Sequence, residues 1–502
     1  MVFIAFACPM LTFINMGCIT AATPDLSGSF VVGVLDVSWS GAANPLGVMA
    51  SFCFASYLWS RIGLRRALRF ALLLMLGSSI TALIADHFLI MIVSRFLQGF
   101  GGGMSLIYGS GLINTAIRPE SRAFPLGLRI CSIGLASCAS PIIGCLLVQF
   151  WSWRAIFVVV GIAAAVLALL ATLYAPNTKI PKSGKFDWFS FLMILTGCLC
   201  LIMVLIDGET YGWTSPALLA WLYGGFSAFV LMVISCMTHK TPLLDFRILG
   251  NGRFLLGLCA SLCNIFCVCW IRAGTVQYMR NIMGYEPMQI ALVFLALVAA
   301  FCLGAGIILP LALKGKIALR VGMMAGLLGL GGSSFFLSRL STSSSWVDVA
   351  WPLALFGLGY AFCINLATPL ALRGVPAEQR PSAVRTLSAL RFTFICMYSS
   401  SVSSVLAHMK TSYRFSVAER TREGASETVA SLSYWQDHFT TTGQSAADAH
   451  AGAMSVLNKV VSLQSQVFSA DYFYLCVVLV GAAGVLFAFL CIKESPKSSL
   501  LS

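Results

Sequence analysis

The chain reads as an all-α polytopic membrane protein, and three observations predict it. Hydrophobic residues make up 59% of the sequence and charged ones only 10%, far from the balance of a water-soluble domain. Apolar runs of about 20 residues, the length that spans a bilayer as a helix, recur along nearly the whole chain. Most of the basic residues fall in every second loop between those runs, as they do where alternate loops face the cytoplasm. The runs do not alternate apolar with polar residues, so a membrane β-barrel is excluded. The first run begins at Val2 with neither a basic segment before it nor a small-residue cleavage site after it. It is expected to be a retained first span rather than a signal peptide.

The same pattern disposes of two other readings. A net charge of +14 suggests nucleic-acid binding only until the cations are located; they form no patch or stripe. All 18 cysteines lie in or beside apolar runs. Cys259, Cys263, Cys267 and Cys269 lack both CxxC pairs and nearby histidines, so they read as small packing residues rather than a zinc site. No disulfide framework, metal or cofactor is expected.

Taken in order, the first span covers Val2–Ala22 and ends at Pro24, and the second covers Val37–Ser60. Arg61, Arg65, Arg66 and Arg69 mark the next loop, and with it the N-terminus, as cytoplasmic. The third span reaches Ala85, and the fourth contains Leu89–Gly103 and ends before the basic segment Arg118–Arg122. Span five, Phe124–Phe150, holds Arg129 and Pro141. An aromatic belt at Trp151, Trp153 and Arg154 precedes span six, which returns to Tyr174. The polar segment Ala175–Lys185 reads as a linker. Two further spans, Trp188–Ile206 and Pro216–Met237, meet at the turn Asp207–Thr214. Five more follow: Phe254–Val276, Met288–Leu313, Arg320–Leu337, Ala350–Leu372 and Val384–His408. A long soluble insert, Met409–Ala470, precedes the last span, Tyr472–Ile492. The expectation is about fourteen spans, with both termini cytoplasmic. Residues 1–174 and 254–502 form two six-helix bundles, and 175–253 carry two extra helices. Such halves would give the internal symmetry of secondary transporters. Within the insert, 409–470, Met454, Leu457, Val461 and Phe468 recur at helical spacing. Either this segment packs on its own transporter or it docks an external partner.

The chemistry-bearing residues are few. Arg95 and Gln98 stand one turn apart in an apolar helix. A guanidinium near a bilayer centre costs roughly 2.5–3.5 kcal/mol on insertion scales, so Arg95 is expected to serve a wet cavity. The glycines after it, Gly99 and Gly101 to Gly103, allow another helix to approach closely. Arg129 and Arg391 also fall within spans, and Arg272 lies toward an outer end. Asn114, Asn264, Gln277 and Asn365 are polar neighbours that could share a cavity. No aspartate, glutamate or histidine lies mid-span; Asp36, just ahead of Trp39, is the nearest and reads as a helix N-cap. Cations without carboxylates hold an anionic or neutral polar ligand more easily than a lipophilic cation. No intramembrane Ser/His, Asp/Asp or metal-ligand constellation points to an enzyme.

Arg95-Phe96-Leu97-Gln98-Gly99 with Gly101–Gly103 resembles the fourth-helix motif of the major facilitator superfamily. Ser56–Arg66, with Arg61, Gly63, Arg65 and Arg66, resembles its second-to-third-helix loop. Ser140–Cys145, with Pro141 and Gly144, resembles its antiporter motif. Trp153–Phe157, Phe186–Trp188, Val276–Tyr278 with Gly284-Tyr285, and Gln379–Arg391 are similar to signatures of the fourteen-helix drug:proton antiporter branch, the EmrB/QacA group. The resemblance implies a major-facilitator fold with two inserted helices, in a bacterial inner membrane. It also implies a small-molecule exporter resembling multidrug efflux antiporters, with Arg391 matching an arginine usual in the family.

Departures bear on mechanism. Where the branch keeps a first-helix aspartate this chain has Asn15, and Ser60 replaces an acidic residue before Arg61. The antiporter motif carries Ser140 and Cys145 for two glycines, and Arg129 matches nothing in the family. An exporter of one anionic or neutral metabolite, such as a siderophore, with atypical proton coupling is therefore an alternative. A non-transporting membrane sensor or scaffold is another. Partners expected are the lipid bilayer, a small-molecule substrate and, on the docking reading of 409–470, a periplasmic adaptor; nucleic acid is not.

Overall fold

A computed structural model describes residues 1–180, 186–239, 242–314, 318–420, 426–443 and 445–491. Lys182, Lys185, Lys240, Lys316, Lys493 and Lys497, part of the expected inner-face charge, lie outside the described residues. All regular structure among the described residues is helical: α1 (Val2–Cys18), α2 (Thr23–Phe30), α3 (Val34–Ile62), α4 (Leu64–Leu83), α5 (Phe88–Ala116), α6 (Ala123–Phe150), α7 (Arg154–Tyr174), α8 (Trp188–Tyr211), α9 (Pro216–Thr238), α10 (Gly252–Asn281), α11 (Pro287–Leu313), α12 (Leu319–Leu337), α13 (Trp346–Leu372), α14 (Arg380–Arg420), α15 (Ser426–Thr441) and α16 (Ala446–Leu490), with short 3-10 turns between some of them.

Thirteen of the described segments are long and apolar enough to cross a membrane, α1 and α2 counting as one. The fourteenth crossing is α3, 29 residues long. It is less apolar because it buries Ser40, Asn44, Ser51 and Ser60 against neighbouring helices. Side chains start several of these helices. Asp187 accepts from the Ser190 amide at the head of α8, and Ser215 from Leu218 at the head of α9. Asn251 caps α10 and Ser445 caps α16, each supplying an acceptor to a backbone N–H that has no helical partner.

The helices form two bundles, α1–α7 and α10–α14 with α16, that meet along α3 against α14 and α6 against α11. Phe52 stacks on Phe392 across the first seam, with ring centroids 5.2 Å apart. The inserted pair α8–α9 lies beside that seam, α8 touching both α3 and α14. Phe186, just before α8, meets Phe54 and Tyr57 of α3 edge-on or tilted, each at 5.4 Å.

Three expectations change. The first span does not end at Pro24: the chain tightens into a 3-10 turn over Ile19–Ala22, and Pro24 then opens α2, where a missing N–H is harmless. Trp153 is no belt residue: only 4% exposed, it donates to Ser29 Oγ at 2.9 Å and packs on Phe30 and Phe157. The soluble insert is not a separate unit either. α14 has 41 residues and α16 has 45. At 1.5 Å per residue these are about 62 and 68 Å long, against a hydrocarbon core of about 30 Å. Both run on past the membrane and form a hairpin with α15, which packs on α16.

The glycines of α5 matter through one contact above all. A Cβ on Gly99 would drive into the backbone carbonyl of Asn44 on α3, with its carbon only 2.8 Å away. Backbone cannot yield as a flexible side chain does. Gly99→Ala is expected to lower the detergent-solubilised melting temperature, with overpacking of about 1–3 kcal/mol. Gly77→Ala, on an exposed face of α4 with nothing within 4 Å of the new methyl, should leave it unchanged or raise it.

Candidate functional site

Arg95 and Gln98 lie in a sealed cluster, not at a wet cavity. Arg95 is 0% exposed. Its Nη1 donates to the Asn15 side-chain oxygen at 2.7 Å, the Asn15 carbonyl at 3.1 Å and Gln98 Oε1 at 3.1 Å. Nη2 also donates to the Asn15 carbonyl, and Nε to the Ser40 carbonyl at 3.4 Å. Gln98 passes the chain on to Ser79 on α4. The guanidinium therefore ties α1, α3, α4 and α5 together, which answers the cost of burying it. Asn15 stands where the resemblance expects a carboxylate. Its amide oxygen supplies the acceptor but no negative charge.

A cavity of about 430 Å³ lies between the bundles, lined from α1, α3, α5 and α6 on one side and α10, α13 and α14 on the other. Its wall is largely apolar, with Phe13, Met16, Phe52, Ile130, Ile265 and Phe392. Into it come four arginines, Arg129, Arg272, Arg385 and Arg391, together with Asn264, and among the described residues no aspartate, glutamate or histidine lines it. Arg391 donates from Nε to Ser261 Oγ at 2.7 Å and from Nη1 to Thr368 Oγ1 at 2.8 Å. Arg129 donates to the Leu106 carbonyl. Three buried donor nitrogens, Arg129 Nε, Arg385 Nε and Arg391 Nη2, and the acceptor Asn264 Oδ1 have no hydrogen-bond partner among the described residues. A unit anion about 4 Å from one guanidinium gains roughly 4 kcal/mol of Coulomb energy at an effective dielectric near 20.

The cavity reaches the surface at the end bearing the basic loops, where its lining residues Pro381 and Val384 are exposed. At the other end the bundles are joined. Arg272 Nη1 on α10 donates to the Ser137 carbonyl and hydroxyl on α6, at 3.1 and 2.9 Å. Beyond it, Arg280 donates to the Ala21 carbonyl at 2.6 Å and pairs with Asp25 at 3.4 Å.

Of the residues expected at a site, the cavity gathers Arg129, Arg272, Arg391 and Asn264. Asp36 is exposed at the start of α3, where it accepts from the Gly33 amide at 3.0 Å from the third helical position rather than the cap. Trp39 packs against the α3–α8 core. Asn114 is exposed near the basic end of α5. Gln277 reaches Ser403 at 3.5 Å. Asn365 bonds the Ala361 carbonyl and accepts from Cys131 across the bundles. The loop motif works by gripping its own bundle: Gly63 takes φ +85°, Arg65 donates to the Ala175 carbonyl and Leu64 N to the Thr178 carbonyl at 2.8 Å. Arg61 lies over the Tyr57 ring and Arg66 is exposed. Arg154 covers Trp153. Gly103 packs against Val48 and Gly144 against the Cys18 backbone.

The family model of the Major Facilitator Superfamily matches residues 5–400. The chain belongs to that superfamily. Relatives within it include the multidrug resistance protein Stp of Mycobacterium tuberculosis, 29% identical over 76% of this chain and 71% of its own length. The tetracenomycin C resistance and export protein of Streptomyces glaucescens is 25% identical over 74% and 68%. Among solved structures, a bacterial homolog of the human lysosomal transporter Spinster, inward-facing and occupied, superposes with a TM-score of 0.60 at 12% identity, covering 98% of this chain and 96% of that one. A double-tryptophan mutant of XylE gives 0.57 at 13% identity, covering 100% and 97%. The superfamily's members are transporters, not enzymes.

Arg385 was missed because it is the second residue of the span Val384–His408, close to Arg380, where a basic residue counts as inner-face charge. A helical count finds it: Pro381, Val384, Arg385, Ser388, Arg391, Phe392 and Ile395 all line the cavity from one face of α14. The Arg95 cluster yields a prediction. Arg95→Ala strips Asn15 and Gln98 of a charged donor, a loss of about 1.5–3 kcal/mol per bond of this kind. It is expected to reduce the yield and melting temperature of folded protein, and Arg95→Lys to recover part of both. A stable, correctly folded Arg95→Ala that has lost only ligand binding would contradict the assignment.

Proposed function

We propose that this protein exports small organic solutes by alternating access, with the cavity between its bundles as the substrate site. The observation that carries this reading is a chamber walled by both bundles, open at one end and closed at the other by contacts that must part for release. Relatives bearing multidrug resistance and tetracenomycin C resistance and export in their names support the outward direction. The basic end is the cytoplasmic one, both termini are cytoplasmic, and the membrane is the bacterial inner membrane. The division at 1–174, 175–253 and 254–502 makes the bundles the moving bodies, with α8–α9 carried beside the α3–α14 seam. The α14–α16 hairpin, with Tyr434 and Val429 exposed, then stands on the periplasmic side, where an adaptor could meet it.

The favoured solute is an organic anion with an apolar body, because the lining holds four arginines and, among the described residues, no carboxylate. The same inventory implies unusual coupling. Among the described residues the wall presents no aspartate, glutamate or histidine, the groups that usually exchange a proton for cargo.

The test is accumulation of radiolabelled 2-naphthalenesulfonate, anionic at every accessible pH, in proteoliposomes. Transport is expected to exceed that of the isosteric (2-naphthyl)trimethylammonium. An imposed pH gradient should change its rate less than about twofold, and Arg391→Gln should reduce it about tenfold through loss of a charge-assisted site. Movement of no anion, cation or neutral solute would leave a non-transporting scaffold as the better reading. Cation transport driven by the pH gradient would overturn the proposed solute class.

A further inference from the structure

Arg272 differs from Arg391 and Arg129 in what it holds. Arg391 is bonded to Ser261 and Thr368 of its own bundle, and Arg129 to Leu106 of its own. Arg272 crosses from α10 to α6, so the same guanidinium both faces the cavity and helps close its far end. Arg280 also crosses, but it lies beyond the cavity lining and has a carboxylate, Asp25, as partner.

The acceptor on α6 explains why the crossing exists. Pro141 stands inside α6. Having no N–H, it cannot donate to the carbonyl one turn back, which is that of Ser137. Ser140 Oγ supplies one donor to this carbonyl at 3.0 Å, and Arg272 Nη1 supplies a second at 3.1 Å. The antiporter-like motif thus presents an acceptor to the opposite bundle. Arg272 finds there only neutral oxygens, a carbonyl and a hydroxyl.

We propose that Arg272 is the element through which an anionic solute opens the far side: an anion in the cavity takes the guanidinium from Ser137 and thereby releases one of the contacts holding α10 to α6. The inference rests on the cavity being the substrate site. A sulfonate, carboxylate or phosphate outcompetes Ser137 because its hydrogen bonds are charge-assisted and can occupy two N–H groups side by side. A cation gains nothing there, and a neutral solute offers acceptors no stronger than the present ones. Ligand binding then shifts the opening equilibrium through a difference in affinity between the two states, as any ligand-driven change requires. Release of Arg272 leaves other far-side contacts to part, among them the Arg280 contact at Asp25 and the apolar packing of Ala21, Cys138 and Cys145 on the second bundle.

The experiment measures binding and opening on the same purified, full-length protein. Spin labels carried on p-acetylphenylalanine at Ser152 and Ser343, exposed far-side turn positions in opposite bundles, leave the native cysteines in place. Pulsed electron spin resonance reads the distance between them, and equilibrium dialysis reads affinity for 2-naphthalenesulfonate and (2-naphthyl)trimethylammonium. In the wild type the sulfonate is expected to bind and lengthen the distance, and the ammonium to do neither. Arg272→Gln should bind the sulfonate about tenfold more weakly, as loss of a charge-assisted hydrogen bond implies. Its distance should already be lengthened without ligand and respond no further. Ser137→Ala separates the two roles, since it removes an acceptor but no cation: a partly lengthened resting distance is expected, with sulfonate affinity raised rather than lowered, because the anion no longer displaces that hydroxyl. Sulfonate-induced lengthening that persists in Arg272→Gln, or equal lengthening by the ammonium in the wild type, overturns the proposal while leaving the cavity as the substrate site. Binding of neither probe to the wild type removes the reading on which it rests.

Discussion

A guanidinium held away from bulk water must have acceptors, and how those acceptors are supplied governs most of this structure. Arg95 finds them in the Asn15 carbonyl and amide, Gln98 and Ser40, and becomes a strut of the first bundle. Arg129, Arg385 and Arg391 each keep a buried nitrogen without a partner among the described residues, and with Arg272 they face a common space. In both places neutral oxygens stand in for carboxylates. The first arrangement is complete and packs helices together. The second is incomplete, with buried nitrogens still without partners among the described residues, and calls for a ligand that supplies negative charge.

Proline and glycine decide where these groups can meet. Pro141 frees the Ser137 carbonyl for Arg272, and Gly99 lets α5 approach α3 closely enough to bring Arg95 under Ser40 and against Asn15. The substitutions in the antiporter-like motif fit the same picture. Ser140 occupies space left open by Gly17 on α1, where a methyl would strike the serine side chain. Close packing of α1 on α6 survives because the small residue has moved to the partner helix.

The fold was largely legible in the sequence because hydropathy and loop charge report directly on the bilayer. The fourteen crossings and the fourth-helix motif needed no tertiary information. What was not legible depends on helix rotation. Arg95 and Arg129 look alike in sequence, each a lone cation in an apolar run, yet one is enclosed within a bundle and the other lines the gap between bundles. Arg385 was hidden because a basic residue at the inner end of a span reads as inner-face charge whichever way its helix face turns. The 409–470 segment read as an insert because its hydropathy falls where α14 and α16 leave the membrane, although neither helix is interrupted there.

The most direct test of a cationic chamber is to offset its charge from within. Asn264 lines the cavity, is 5% exposed, and has a side-chain oxygen without a partner among the described residues, so Asn264→Asp adds one negative charge with almost no change in shape. Equilibrium binding of the naphthalene sulfonate and ammonium pair to the purified variant reads the outcome. If the arginines set the selectivity, the sulfonate weakens about tenfold, the order of effect expected from one charge at close range, and the ammonium gains measurable affinity. An unchanged preference for the anion would show that the four arginines do not determine what the cavity accepts.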